Sequence, residues 1–115
     1  MRRGEIWLVD LEPVRGSEAS KRRPAVIVSN EGANAAAVRR GEGVVTVVPM
    51  TSNIARIFPF QVSMNASETG LEHDTKAQAE QVRSVDARRL QHRLGSAPQR
   101  LMAALDDALR LHLQI

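Results

Sequence analysis

Short β-branched runs closed by polar or chain-breaking clusters recur through most of this chain, and one helical stripe ends it. Glu5–Leu11 is short, apolar and aromatic, and reads as a first strand covered on both faces. Its tryptophan, Trp7, belongs to a core or a dimer contact. Residues 12–20 have loop composition and form a long connection for a hairpin. Val26-Ile27-Val28 continues as a buried strand. Asn30 then caps a helix from Glu31 to about Arg40, with Glu31 near its positive end and Arg39-Arg40 near its negative end. Gly41 and Gly43 stop it. Gly43 to Met50 is a third strand, in which Pro49 marks an end, an edge or a bulge.

The second half is more polar. Ile57 to Met64 alternates, with Phe58, Phe60, Val62 and Met64 on one face of a half-buried strand. Residues 65–70 read as a loop. Lys76 to Val85 is expected to be the last long strand, although its β-propensity is poor. There, Gln81 and Arg83 on one face make sense if that face lines a polar cleft. Asp86 caps a short helical turn through Leu90. Ser96-Ala97-Pro98-Gln99 has the form of a capping box. The helix after it runs to about Leu113, with Leu101, Leu105, Ala108, Leu109 and His112 on one stripe. Five short strands and one substantial helix predict an α+β, mainly β fold: a small, strongly curled sheet or partly open barrel.

Two strand ends carry the polar chemistry. Lys21-Arg22-Arg23 stands just before a strand, and Thr51-Ser52-Asn53 just after one. Pro24 restricts Arg23 to an extended backbone and so projects it from a stiff base. If the two strands are neighbours, their polar ends meet in one cleft. Fixed positive charge beside a hydroxyl donor suits a phosphodiester that gains negative charge as it reacts. The plainer alternatives are a basic gatekeeper before an aggregation-prone strand and a simple turn.

Composition sharpens this. The 115 residues predict one domain, and a hydrophobic fraction of 43% with 25% charged is ordinary for a globular protein. Net charge is +3, and the cations are Arg apart from Lys21 and Lys76. Arginine binds phosphate through two points and stacks on bases, so the balance leans towards nucleic acid. No cysteine is present, which excludes disulfides and thiolate metal sites and fits a cytoplasmic protein. No apolar stretch is long enough to span a bilayer, and no signal-peptide apolar region follows Met1.

Several chemistries drop out. His73-Asp74 is a close His–carboxylate pair, but His92 and His112 stand far away, and no metal-ligand spacing is present. His73, between Glu72 and Asp74, reads as solvated surface. There is no G-x-S-x-G elbow, no phosphate-cradling glycine loop and no reason for two carboxylates to converge. RNA supplies what is left, because its own 2′-hydroxyl can attack the neighbouring phosphorus. Such a site needs no metal, cofactor or protein nucleophile. It must align the backbone, move protons and stabilise the charged phosphorus. The base stays open between Arg23, a carboxylate such as Glu18, and water.

Four ordered blocks closely resemble the MazF/PemK family of toxin endoribonucleases. They are Arg3-Gly4-Glu5-Ile6-Trp7 with Asp10-Leu11-Glu12-Pro13 and Gly16-Ser17-Glu18; Arg22-Arg23-Pro24-Ala25-Val26-Ile27-Val28-Ser29-Asn30; Val48-Pro49-Met50-Thr51-Ser52-Asn53; and Ala79-Glu80-Gln81-Val82-Arg83-Ser84-Val85. The resemblance implies a CcdB/MazF-like barrel related to SH3 folds, a homodimer, and sequence-specific, metal-independent cleavage of single-stranded RNA. The products would carry a 2′,3′-cyclic phosphate and a 5′-hydroxyl. It also implies that Arg23 and Thr51 are catalytic and that the loop with Ser17 and Glu18 gates the RNA groove. Lys21, Arg22, Ser52, Asn53, Gln81 and Arg83 complete the expected RNA-contacting set. A MazE-type antitoxin is implied as partner, its flexible acidic segment filling the same cleft. Ala19 departs from the polar residue many relatives carry there. Two rivals stand beside this reading: a non-catalytic toxin of the same fold that inhibits a protein such as a topoisomerase, and a barrel that binds nucleic acid without cutting it.

Overall fold

The computed structural model describes residues 1–12, 15–17 and 21–115. Strand β1 (Glu5–Asp10) pairs antiparallel with β2 (Arg22–Ile27), and β2 pairs with β3 (Val44–Thr51). Helix α1 (Glu31–Arg40) connects β2 to β3. Asn30 accepts from the Ala33 N–H at 2.9 Å, and Gly41 closes the helix in the left-handed conformation, as the caps in the sequence predict. The buried Asn34 fastens α1 to the sheet by donating to the Ser29 carbonyl at 3.0 Å and accepting from its hydroxyl at 2.6 Å.

The second half departs from the expected pattern in four places. The strand expected from Ile57 begins only at Gln61 (β4, Gln61–Met64), and Phe58 and Phe60 lie before it, stacked at 5.4 Å. Residues 66–69 form a short helix (α2, Ala66–Thr69) rather than a loop. The expected long strand is two strands, β5 (Thr75–Gln78) and β6 (Arg83–Asp86), separated by a 3-10 turn at Ala79–Gln81. An unforeseen strand, β7 (Leu90–Ser96), pairs with β1. Ser96 therefore ends a strand and forms no capping box: Pro98 is the N-cap of α3 (Gln99–Leu113), without a side-chain hydrogen bond. The turn capped by Asp86, which accepts from Arg88 N–H at 2.8 Å, is as expected.

Pro49 explains the split. On one edge, β3 pairs with β6 through Val44–Val47 and with β5 through Met50 and Thr51. Pro49 falls in the gap, where a residue without an N–H costs no ladder bond. The sheet order is β4-β5-β3-β2-β1-β7, with β6 off this path on β3. It curls into the partly open barrel expected of the sequence. Thr69, at the end of α2, spans the open side: its carbonyl sits so close to Gly95 of β7 that a Cβ there would lie 2.2 Å from the oxygen.

Alternation along the strands divides the core in two. Ile6, Val26, Val48 and Met50 face α3, where Leu101, Met102, Leu105 and Ala108 are buried. Val9, Ala25, Ile27, Val45 and Val47 face the other way, with Ala37 of α1 and Val85. Trp7 packs against this second cluster and donates its indole N–H to Glu5 at 3.0 Å. Arg3 ties α3 to the sheet: its guanidinium pairs with Asp106 and its Nε donates to the Val28 carbonyl at 3.0 Å. His112, at the end of the predicted stripe, is exposed, its ring 6.4 Å from that of Phe60. Among the described residues, no helix is long and apolar enough to cross a membrane.

Candidate functional site

β2 and β3 bring the two polar strand ends together. Ala25 pairs with Pro49, the last pair of the β2–β3 ladder, and Arg23 and Thr51 lie two residues beyond it on their strands. Cross-strand partners share a face of the sheet. Both residues line a cavity of about 580 Å³, a size typical of ligand sites. Lys21, Arg22 and Ser52 line it as well.

Local structure fixes this cluster. Lys21 has φ +67°, a strained conformation for a residue with a Cβ. Two hydrogen bonds hold it there: its N–H donates to Glu12 at 2.7 Å, and its carbonyl accepts from Leu11 N–H at 3.1 Å. On the facing strand, Thr51 Oγ1 accepts from Asn53 N–H at 3.2 Å. That bond uses a lone pair and leaves the hydroxyl proton free to be donated into the cavity. Asn53 thus reaches the site through its backbone, beside Thr51.

The other expected contact residues form a separate group. Gln81 donates to the Ser17 carbonyl at 3.1 Å, and Arg83 donates to the Leu11 carbonyl at 3.4 Å. Arg83 pairs with Val47, four residues from Thr51 and so roughly 13 Å away along β3. These three residues brace the loop after β1 and do not line the cavity. Glu18 lies outside the described residues.

A model of the family described as "PemK-like, MazF-like toxin of type II toxin-antitoxin system" matches residues 2–113. The chain belongs to this family. It is 59% identical over 115 residues to endoribonuclease MazF9 of Mycobacterium tuberculosis, covering 100% of this chain and 98% of the relative. A crystal structure of MazF from Deinococcus radiodurans superposes with a TM-score of 0.82 at 28% identity, over 100% of this chain and 97% of the other. A MazE–MazF structure from the same organism matches at 27% identity and a TM-score of 0.70, over 99% and 96% of the two chains.

Within this family fold the cavity holds residues that the sequence alone did not mark. Glu72 and His73 line it from the loop after α2. Lys76 does not line the cavity; it is 8% exposed and pairs directly with Thr51 in the β3–β5 ladder. Its ammonium donates to the Arg56 carbonyl at 2.6 Å and lies 5.9 Å from the centre of the Phe58 ring. The density of polar residues in 76–81 now has a cause. Lys76 is bound to Arg56, Glu80 accepts from Gln61 at 2.7 Å, and Gln81 reaches Ser17. Among the described residues, no group of three or more His, Asp or Glu side chains is placed to hold a metal ion.

Proposed function

We propose that this chain is the toxin of a type II toxin–antitoxin pair and cleaves single-stranded RNA, with the RNA's own 2′-hydroxyl as nucleophile and no metal or other cofactor. The opposition of Arg23 and Thr51 across one cavity carries this reading. As the 2′-oxygen closes on phosphorus, negative charge builds on the two non-bridging oxygens. The Arg23 guanidinium is a permanent counter-charge, and the Thr51 hydroxyl is a donor already fixed in place. Lys21, Arg22 and Ser52 hold the flanking backbone so that attack is in line. Ser17, Asn53, Gln81 and Arg83 form or brace the outer part of the RNA path, and Glu18 contributes to RNA contact. The products are a 2′,3′-cyclic phosphate and a 5′-hydroxyl.

The reading takes residues 1–115 as one domain, a homodimer acting in the cytoplasm. Its antitoxin is of the MazE type, with an acidic segment that competes for Lys21, Arg22 and Arg23, since a groove built for phosphates attracts a polyanionic peptide.

The test is purified protein with single-stranded RNA in EDTA, followed by mapping of the product ends. Cleavage survives the chelator and leaves 5′-hydroxyl ends. Arg23→Ala lowers the rate at least ~100-fold and Thr51→Ala by a smaller factor, the scale of losing one preorganised donor. EDTA-sensitive cutting that leaves 5′-phosphates overturns the mechanism. Binding with no cutting by the wild type favours a non-catalytic barrel.

A further inference from the structure

We propose that His73 is the general base of the cleavage reaction, taking the proton of the attacking 2′-hydroxyl; this rests on the ribonuclease reading above. His73 lines the same cavity as Arg23 and Thr51, from the loop that faces their strand ends. The loop is built in place. Leu71 packs into the α3-side core, and its N–H donates to Thr69 Oγ1 at 3.3 Å. Thr69 is buried against Gly95, and Asp74 accepts from Ala66 N–H at 2.8 Å. The two residues between these anchors, Glu72 and His73, are exposed into the cavity. His73 makes no hydrogen bond or ion pair with another described residue, so its ring nitrogens remain available to a substrate.

Chemistry selects the imidazole. Of the groups facing His73, Lys21 and the start of β2, Arg22 and Arg23, are cations with no lone pair to offer. The end of β3 supplies the Thr51 hydroxyl, Ser52 just beyond it supplies another, and β7 supplies Leu94, none of them an acid or base near neutral pH. Asp74 is engaged with α2, and Glu68 with Arg100. Among the described residues that line the cavity, Glu72 is the remaining rival. A carboxylate with an ordinary pKa near 4 is a weaker base at neutral pH than an imidazole, whose ordinary pKa is about 6.5. In the step, the 2′-O–P bond forms and the P–O5′ bond breaks. The 2′-hydroxyl proton passes to a ring nitrogen of His73, water protonates the departing O5′, and His73 then releases its proton to water. Charge and protons balance without an oxidant or a metal.

The experiment is single-turnover cleavage of an RNA containing one mapped cut site, in EDTA, from pH 5 to pH 9. Wild type, His73→Gln and Glu72→Gln are compared. Affinity is read with the same oligonucleotide made 2′-deoxy at the cut position, and folding by thermal melting. The wild-type rate rises through an inflection in the imidazole range, about pH 6–7, and then levels. His73→Gln loses that inflection and slows the plateau by roughly 10²–10⁴-fold, with affinity within about threefold of wild type and melting unchanged. Glu72→Gln keeps the inflection. An inflection that persists in His73→Gln, or vanishes only in Glu72→Gln, overturns the assignment. A wild type that cuts no RNA fails the parent reading as well. A wild type that cuts while His73→Gln cuts equally fails this inference alone.

Discussion

Glu5 shows how one side chain can bind a sheet edge to the chain terminus. Burial alone raises its pKa, yet the net direction is down. The indole N–H of Trp7, the backbone N–H of Arg2, the N-terminal ammonium and Arg93 together favour the charged form. A carboxyl whose folded pKa lies below its unfolded value adds stability above the unfolded pKa. That stability fades as pH falls through the lower folded value. Glu5→Gln is therefore less stable than wild type by about 1 kcal/mol near neutral pH, and the difference closes as pH falls below about 4. Urea melts followed by Trp7 fluorescence at pH 7 and pH 3.5 test this; a difference that ignores pH contradicts it. At this scale the meeting of Arg23 and Thr51 in one cavity was legible because proline and strand ends fix short-range geometry. His73 was not. Its placement depends on Thr69 meeting Gly95, residues far apart in sequence.

Among the elements, α1 was legible at both ends because Asn30, Glu31, Arg39 and Gly41 act locally. β7 was not. Leu90-Gln91-His92-Arg93-Leu94-Gly95-Ser96 has little strand propensity, and its pairing with β1 makes it a strand. The break between β5 and β6 was hidden for a related reason: it is set by Pro49 on a different strand. Gly95 couples β7 to the cavity loop, since a side chain there meets a backbone oxygen that cannot swing aside. Gly95→Ala pushes α2 off β7 and draws Leu71 from the core. The expected cost is ~1–3 kcal/mol of stability, the usual scale of overpacking. Because His73 moves with the loop, cleavage by the still-folded fraction falls as well. Denaturant melts and single-turnover rates on the same samples separate the two effects; unchanged values for both would show that the contact relaxes freely.

For the whole molecule, a net charge of +3 understates the local field, because Lys21, Arg22 and Arg23 face one cavity. If each engages one phosphate, log affinity for single-stranded RNA falls against log salt with a slope of about −2. Arg22→Ala flattens the slope by about 0.7, and a salt titration of binding by both proteins measures this. A slope near zero in the wild type would mean that the cavity does not read phosphates. The architecture as a class was legible from alternating strands and one terminal stripe. The open side closed by α2 was not, because it depends on tertiary contact. The Ala25–Pro49 pair also acts as a ruler. Two residues outward on either strand arrive at Arg23 and Thr51, and that count cannot change without turning one of them to the opposite face. The loop at 54–60 lies outside this measured span. It can lengthen, shorten or exchange residues to suit new RNA sequences while the distance between guanidinium and hydroxyl stays constant.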